Sequence, residues 1–147
     1  MQGETFQYTR ERFYSHFLLK ELCIELFNHI FNSKKQNNIK TRNIFKCDSQ
    51  DEVFLHLFKH IKQNDNNICK LLSSQNNELF LDYFKAEVRL LIVNNISDFD
   101  NKKPKNIPED FWINHITSTF IETLRWWIKN KMIQTPELIT EYFFLLV

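Results

Sequence analysis

PEDFWINHITSTFIETLRWWIKNK (residues 108–131) is followed, after three residues, by TPELITEYFFLLV (residues 135–147). In the first stretch Pro108 lacks only an amide that has no partner at a helix start, and Glu109 and Asp110 suit the positive end of the helix dipole. Trp112, Ile113, Ile116, Phe120, Leu124, Trp127 and Ile128 then recur at helical spacing on one flank, which Phe111, Thr119, Thr123 and Trp126 widen. Lys129 and Lys131 suit the negative end. The second stretch repeats the start signal, with Thr135 as N-cap and Pro136 in the first helical position.

In this last helix Leu138, Ile139, Tyr142, Phe143, Leu145, Leu146 and Val147 surround most of the circumference, leaving Glu137, Thr140 and Glu141 for water. Helices apolar over so wide an arc pack on two sides. Two arrangements do this: a thick monomer core, or a homodimer in which both helices meet their symmetry mates in a bundle. The residues that would form the dimer contact are Phe120, Leu124, Trp127, Leu138, Tyr142, Phe143 and Leu146.

Upstream the same period recurs. Residues 10–32 carry Phe13, Phe17, Leu22, Ile24, Leu26, Phe27, Ile30 and Phe31 and read as one helix or two abutting ones. Residues 33–48 lose the pattern and gather Lys34, Lys35, Lys40, Arg42 and Lys46, a basic connection. Ser49 with Glu52 forms a capping-box pattern before a helix that reaches residue 63 and has Val53, Phe54, Leu57, Phe58 and Ile61 on its apolar face. A short piece over 68–73 and a long helix over 78–95 follow, the latter with Leu79, Phe80, Tyr83, Phe84, Val88, Leu91 and Ile92 as its stripe. Residues 97–108 are polar, rich in lysine and proline, and read as an exposed loop.

Composition agrees with an all-α fold. The chain of 147 residues has one glycine and three prolines, and no Asn-Gly or Asp-Gly pair to turn a hairpin. A formal charge of +1 excludes binding that depends on large net positive charge, while permitting a local basic patch. Cys23, Cys47 and Cys69 form an odd set without Cys-x-x-Cys spacing, as expected of reduced thiols in a cytoplasmic protein. The apolar runs 90–93 and 142–147 are far too short to span a membrane.

The candidate chemistry is sparse. His56 and His60 stand four apart and could present two ligands to a metal, but no adjacent glutamate completes a His-Glu-x-x-His pattern, so they read as surface histidines flanking Lys59 and no metal or cofactor is expected. Cys69 and His115 belong to no triad, and Gly3 alone cannot build a phosphate loop, so no enzyme is expected. Phe54, Phe58, Phe80, Tyr83, Phe84, Phe120 and Trp126 either line a pocket for a small apolar effector or fill the space themselves. Arg10, Arg12, Tyr14, His16 and Lys20 bring several donors and an aromatic ring to one short helix, a constellation suited to DNA.

Phe13-Tyr14-Ser15-His16-Phe17-Leu18-Leu19-Lys20 resembles the Phe-Tyr-x-His-Phe-x-x-Lys signature that closes the helix-turn-helix of TetR-family transcription regulators. Ile68-Cys69-Lys70-Leu71-Leu72, residues 120–131 and Thr135-Pro136-Glu137-Leu138 resemble the C-terminal domains of that family's dihydroxyacetone-kinase regulator type. The resemblance implies that Tyr14, His16 and Lys20 reach DNA phosphates or base edges and that Phe13 and Phe17 pack the reading head. It also implies homodimerisation through the last two helices and, often, an effector cavity among the middle ones. On this reading residues 1–32 are the remainder of a helix-turn-helix and residues 33–147 the effector and dimerisation domain. Only seven residues precede Tyr8, so the reading head is expected to be incomplete, with DNA a partner if the missing helices exist in the native protein. The competing expectation is a DNA-independent helical coregulator, a protein-interaction module that pairs with itself or with an intact relative through the surface around Trp127 and Phe143.

Overall fold

Glu52 caps the helix that follows it with both carboxylate oxygens: Oε1 accepts from the amide of Phe54 at 3.0 Å and Oε2 from that of Leu55 at 3.1 Å. The computed structural model describes residues 18–32, 51–63, 67–73 and 78–147. Ser49, the other half of the expected capping box, lies outside the described residues.

All regular structure among the described residues is helical. Helix α1 covers the described residues 18–32. After it come α2 (Val53–Gln63), α3 (Ile68–Ser73), α4 (Glu78–Asn94), a 3₁₀ helix (Ile96–Lys102), α5 (Glu109–Lys129) and α6 (Pro136–Leu146). Helix α5 packs along α4, and α6 packs along both α2 and α5. The cap of α6 is the expected one, with Thr135 Oγ1 accepting from the amide of Leu138 at 3.1 Å.

Helix α5 ends at Lys129 rather than at 131. Lys131 and Met132 take left-handed backbone angles, φ 62° and 50°, and the amide of Met132 reaches the carbonyl of Trp127 at 2.9 Å while that of Lys131 reaches Ile128 at 3.1 Å. That pair of bonds is a Schellman stop built without glycine. Threonines inside helices are satisfied locally: buried Thr117 and Thr140 donate to the carbonyls of Ile113 and Pro136 at 2.7 and 2.6 Å.

The region expected as an exposed loop is instead anchored. Phe99, within the 3₁₀ helix, is fully buried, stacks on Phe144 with centroids 5.5 Å apart and meets Phe54 edge-on at 5.6 Å. Its flanking Asp98 and Asp100 hide a single apolar residue from any periodicity argument, since one residue in a turn has no period.

Candidate sites and family assignment

Helix α2 turns one side towards α6 and another towards α1, and the sites differ accordingly. On the first side Phe54, Phe58 and Phe120 are buried and interlock: Phe58 lies 4.9 Å from Phe120, Phe54 lies 5.9 Å from Phe120 and 5.5 Å from Phe143, and Trp127 closes on Phe58 at 5.6 Å. On α4, buried Phe80 and Phe84 sit 6.2 Å apart, and Phe27 of α1 meets Phe84 at 5.2 Å. Five of the seven pocket candidates are therefore buried within the hydrophobic core. Tyr83 is half-buried, with the Lys20 ammonium 5.9 Å from its ring, and Trp126 is 47% exposed on α5. The structure does not bring all seven around one site.

The dimer candidates also divide. Phe120, Leu124, Trp127 and Phe143 have no exposed surface in the single chain, so they belong to its core and not to a contact with a second copy. Leu138, Tyr142 and Leu146 do face outward, and Leu145 joins them. These positions recur at helical spacing along one side of α6, whose other side is buried through Ile139, Thr140 and Phe143. On neighbouring α5, Trp126 points away from the core that its sequence neighbour Trp127 enters.

Of the DNA candidates, Arg10, Arg12, Tyr14 and His16 lie outside the described residues, as does the basic segment that contains Lys34 and Lys46. Lys20 is exposed on α1.

Neither His56 nor His60 is a surface residue. Both are buried on α2, and His29 from α1 completes a group that sequence spacing could not show, because its third member lies 27 residues before His56. The Nε2 atoms of His29 and His56 are 3.2 Å apart, as are those of His60 and His56. Burial, reinforced by the neighbouring His60 and His29 rings, pushes the His56 imidazole down to about 4, which keeps it neutral at physiological pH. Elsewhere the thiol of Cys69 donates to the carbonyl of Ile61 at 3.1 Å, and burial pushes its pKa up, the behaviour of a core residue rather than a nucleophile. His115 is exposed and stacks on Trp112 at 5.5 Å.

Residues 48–147 match the family model described as "Transcriptional regulator C-terminal region". A solved structure, a TetR transcriptional regulator from Streptococcus agalactiae 2603V, is 33% identical and superposes with a TM-score of 0.65 over 94% of this chain and 74% of the other. The chain belongs to the TetR family of transcription regulators. No curated protein matches it. That family is one of transcription regulators. No described helix is long and apolar enough to cross a membrane.

Proposed function

We propose that this TetR-family chain works in the cytoplasm as a homodimer whose α6 helices, together with the outer side of α5, meet across a two-fold axis to form a four-helix bundle. The observation that carries this reading is the stripe of Leu138, Tyr142, Leu145 and Leu146 on the outward side of α6. Its last two members are 68% and 74% exposed, an arrangement that leaves large apolar area in water unless a partner covers it. Trp126 supplies an aromatic residue of the kind that anchors interfaces. The interface thus keeps the helices expected from sequence and exchanges Phe120, Leu124, Trp127 and Phe143 for Trp126 and Leu145.

In this dimer the segment that contains Arg10, Arg12, Tyr14, His16 and Lys20 contacts DNA, and α1 joins it to the dimerising core. A small apolar molecule or protein that changes DNA affinity must bind the two placements of the reading segments unequally. Light scattering and sedimentation test the dimer. The native chain should run at twice its 18.0 kDa, and Tyr142→Glu with Leu146→Glu should run as a monomer of about 18.0 kDa with an unchanged helical spectrum. A native chain that stays monomeric at 100 micromolar (~10⁻⁴ M, the weak end for a specific assembly) overturns the reading.

A further inference from the structure

The group formed by His29, His56 and His60 has no part in the reading above. Its ligand nitrogens all lie within 4.8 Å of one another, and two of the three pairs are Nε2 atoms 3.2 Å apart. Ligands about 2.05 Å from a tetrahedral zinc are about 3.3 Å from each other, so those two spacings are already those of a coordination edge. The three rings stand mutually edge-on or tilted, with centroids 4.7 to 4.9 Å apart, rather than stacked face to face. They come from two helices: His56 and His60, four residues apart, share a side of α2, and His29 faces them from α1.

An unprotonated imidazole nitrogen carries one in-plane lone pair, and a cation between the three rings can accept one from each. We propose that His29, His56 and His60 form a three-imidazole site for a divalent transition cation of the zinc class, bridging α1 to α2. Imidazole is the ligand such ions share, and three protein ligands leave a fourth position for water or an effector atom. Occupancy of this site would tie α1 to α2. The binding claim itself stands whether or not the chain dimerises or holds DNA.

The test uses the full chain, stripped with chelator and titrated with zinc and cobalt(II). One equivalent per chain should bind, cobalt should show the intense visible absorption of four-coordinate geometry, and the melting temperature should rise with free zinc. His29→Gln, at a half-buried position, should weaken binding at least about tenfold, while His115→Gln should bind as the native chain does. His60→Gln gives the same reading should His29→Gln fail to fold. In the native chain three of the five histidine side-chain NMR signals should shift on zinc addition, and these should be His29, His56 and His60. A folded, stripped chain that takes up no zinc, native-like affinity in His29→Gln, or shifts confined to His16 and His115 overturns the proposal.

Discussion

The indole N–H of Trp127 donates to the backbone carbonyl of Gln134 at 3.0 Å, so a fully buried core residue holds the turn that joins α5 to α6. Two further residues grip the same turn. Lys62 of α2 donates to the carbonyl of Met132 at 2.6 Å, and the Cys69 thiol of α3 points to the Met132 sulfur at 3.8 Å. Three helices, α5, α2 and α3, thereby set the direction in which α6 departs, and that direction decides where the stripe containing Tyr142 faces.

Trp127→Phe keeps an aromatic ring against Phe58 but removes the donor to Gln134 and part of the buried volume. The loss should be about 2 kcal/mol, combining a smaller core residue with one unmade bond. Urea denaturation at fixed protein concentration measures it, since the proposed dimerisation would make apparent stability concentration-dependent. An unchanged midpoint would mean the turn holds without the indole.

Lys131→Gly should have the opposite sign. Lys131 holds φ 62° at the position after the α5 cap where glycine is usual, and a side chain there is strained. Glycine should therefore stabilise the chain by about 0.5–1 kcal/mol, whereas Lys129→Gly, inside the last helical turn, should destabilise it by a similar amount. Thermal melts of the two variants beside the native chain give the comparison.

What could be read from the sequence follows from where its signals are local. The start of α6 was legible because Thr135 and Pro136 act within one turn. The wide apolar arcs of α5 and α6 were legible, but not which side faced inward: Tyr142 and Phe143 are adjacent and both aromatic, and only tertiary contact sends Phe143 to the core and Tyr142 outward. The histidine group was half legible. Spacing aligned His56 with His60, but the flanking Lys59 suggested a wet surface, and in fact Lys59 turns to Asp51 at 2.5 Å while the histidines turn inward to α1.

Phe99 is the residue that periodicity missed, and its removal should be costly. Phe99→Ala empties a site walled by Phe54, Phe143 and Phe144, so a loss of about 3–5 kcal/mol is expected. The neighbouring exposed Asp98→Ala should change stability by less than about 0.5 kcal/mol. Equal, small effects from both substitutions would mean that the 3₁₀ segment is only laid against the bundle and does not anchor it.

Cys23 makes stability depend on alkaline pH. It is buried on α1, and burial, with a smaller contribution from the Glu87 charge, pushes its thiol from 9.0 up to about 12. Between those values the unfolded chain releases a proton that the folded chain retains, so the contribution of Cys23 is fully present below pH 9 and falls as pH rises. The total loss by pH 12 is roughly 4 kcal/mol, of which about 1 kcal/mol is lost between pH 9 and 10. Cys69, also raised by burial, adds a decline of the same sign, and tyrosines titrate in this range as well. The measurement is therefore a difference: denaturation of the native chain and of Cys23→Ala at pH 8, 9 and 10, a range that brackets the unfolded thiol's value of 9.0. The variant should start less stable, because it leaves a small void, and should lose less with each step in pH. Parallel pH profiles would show that the thiol titrates alike in both states and that α1 opens readily enough to expose it.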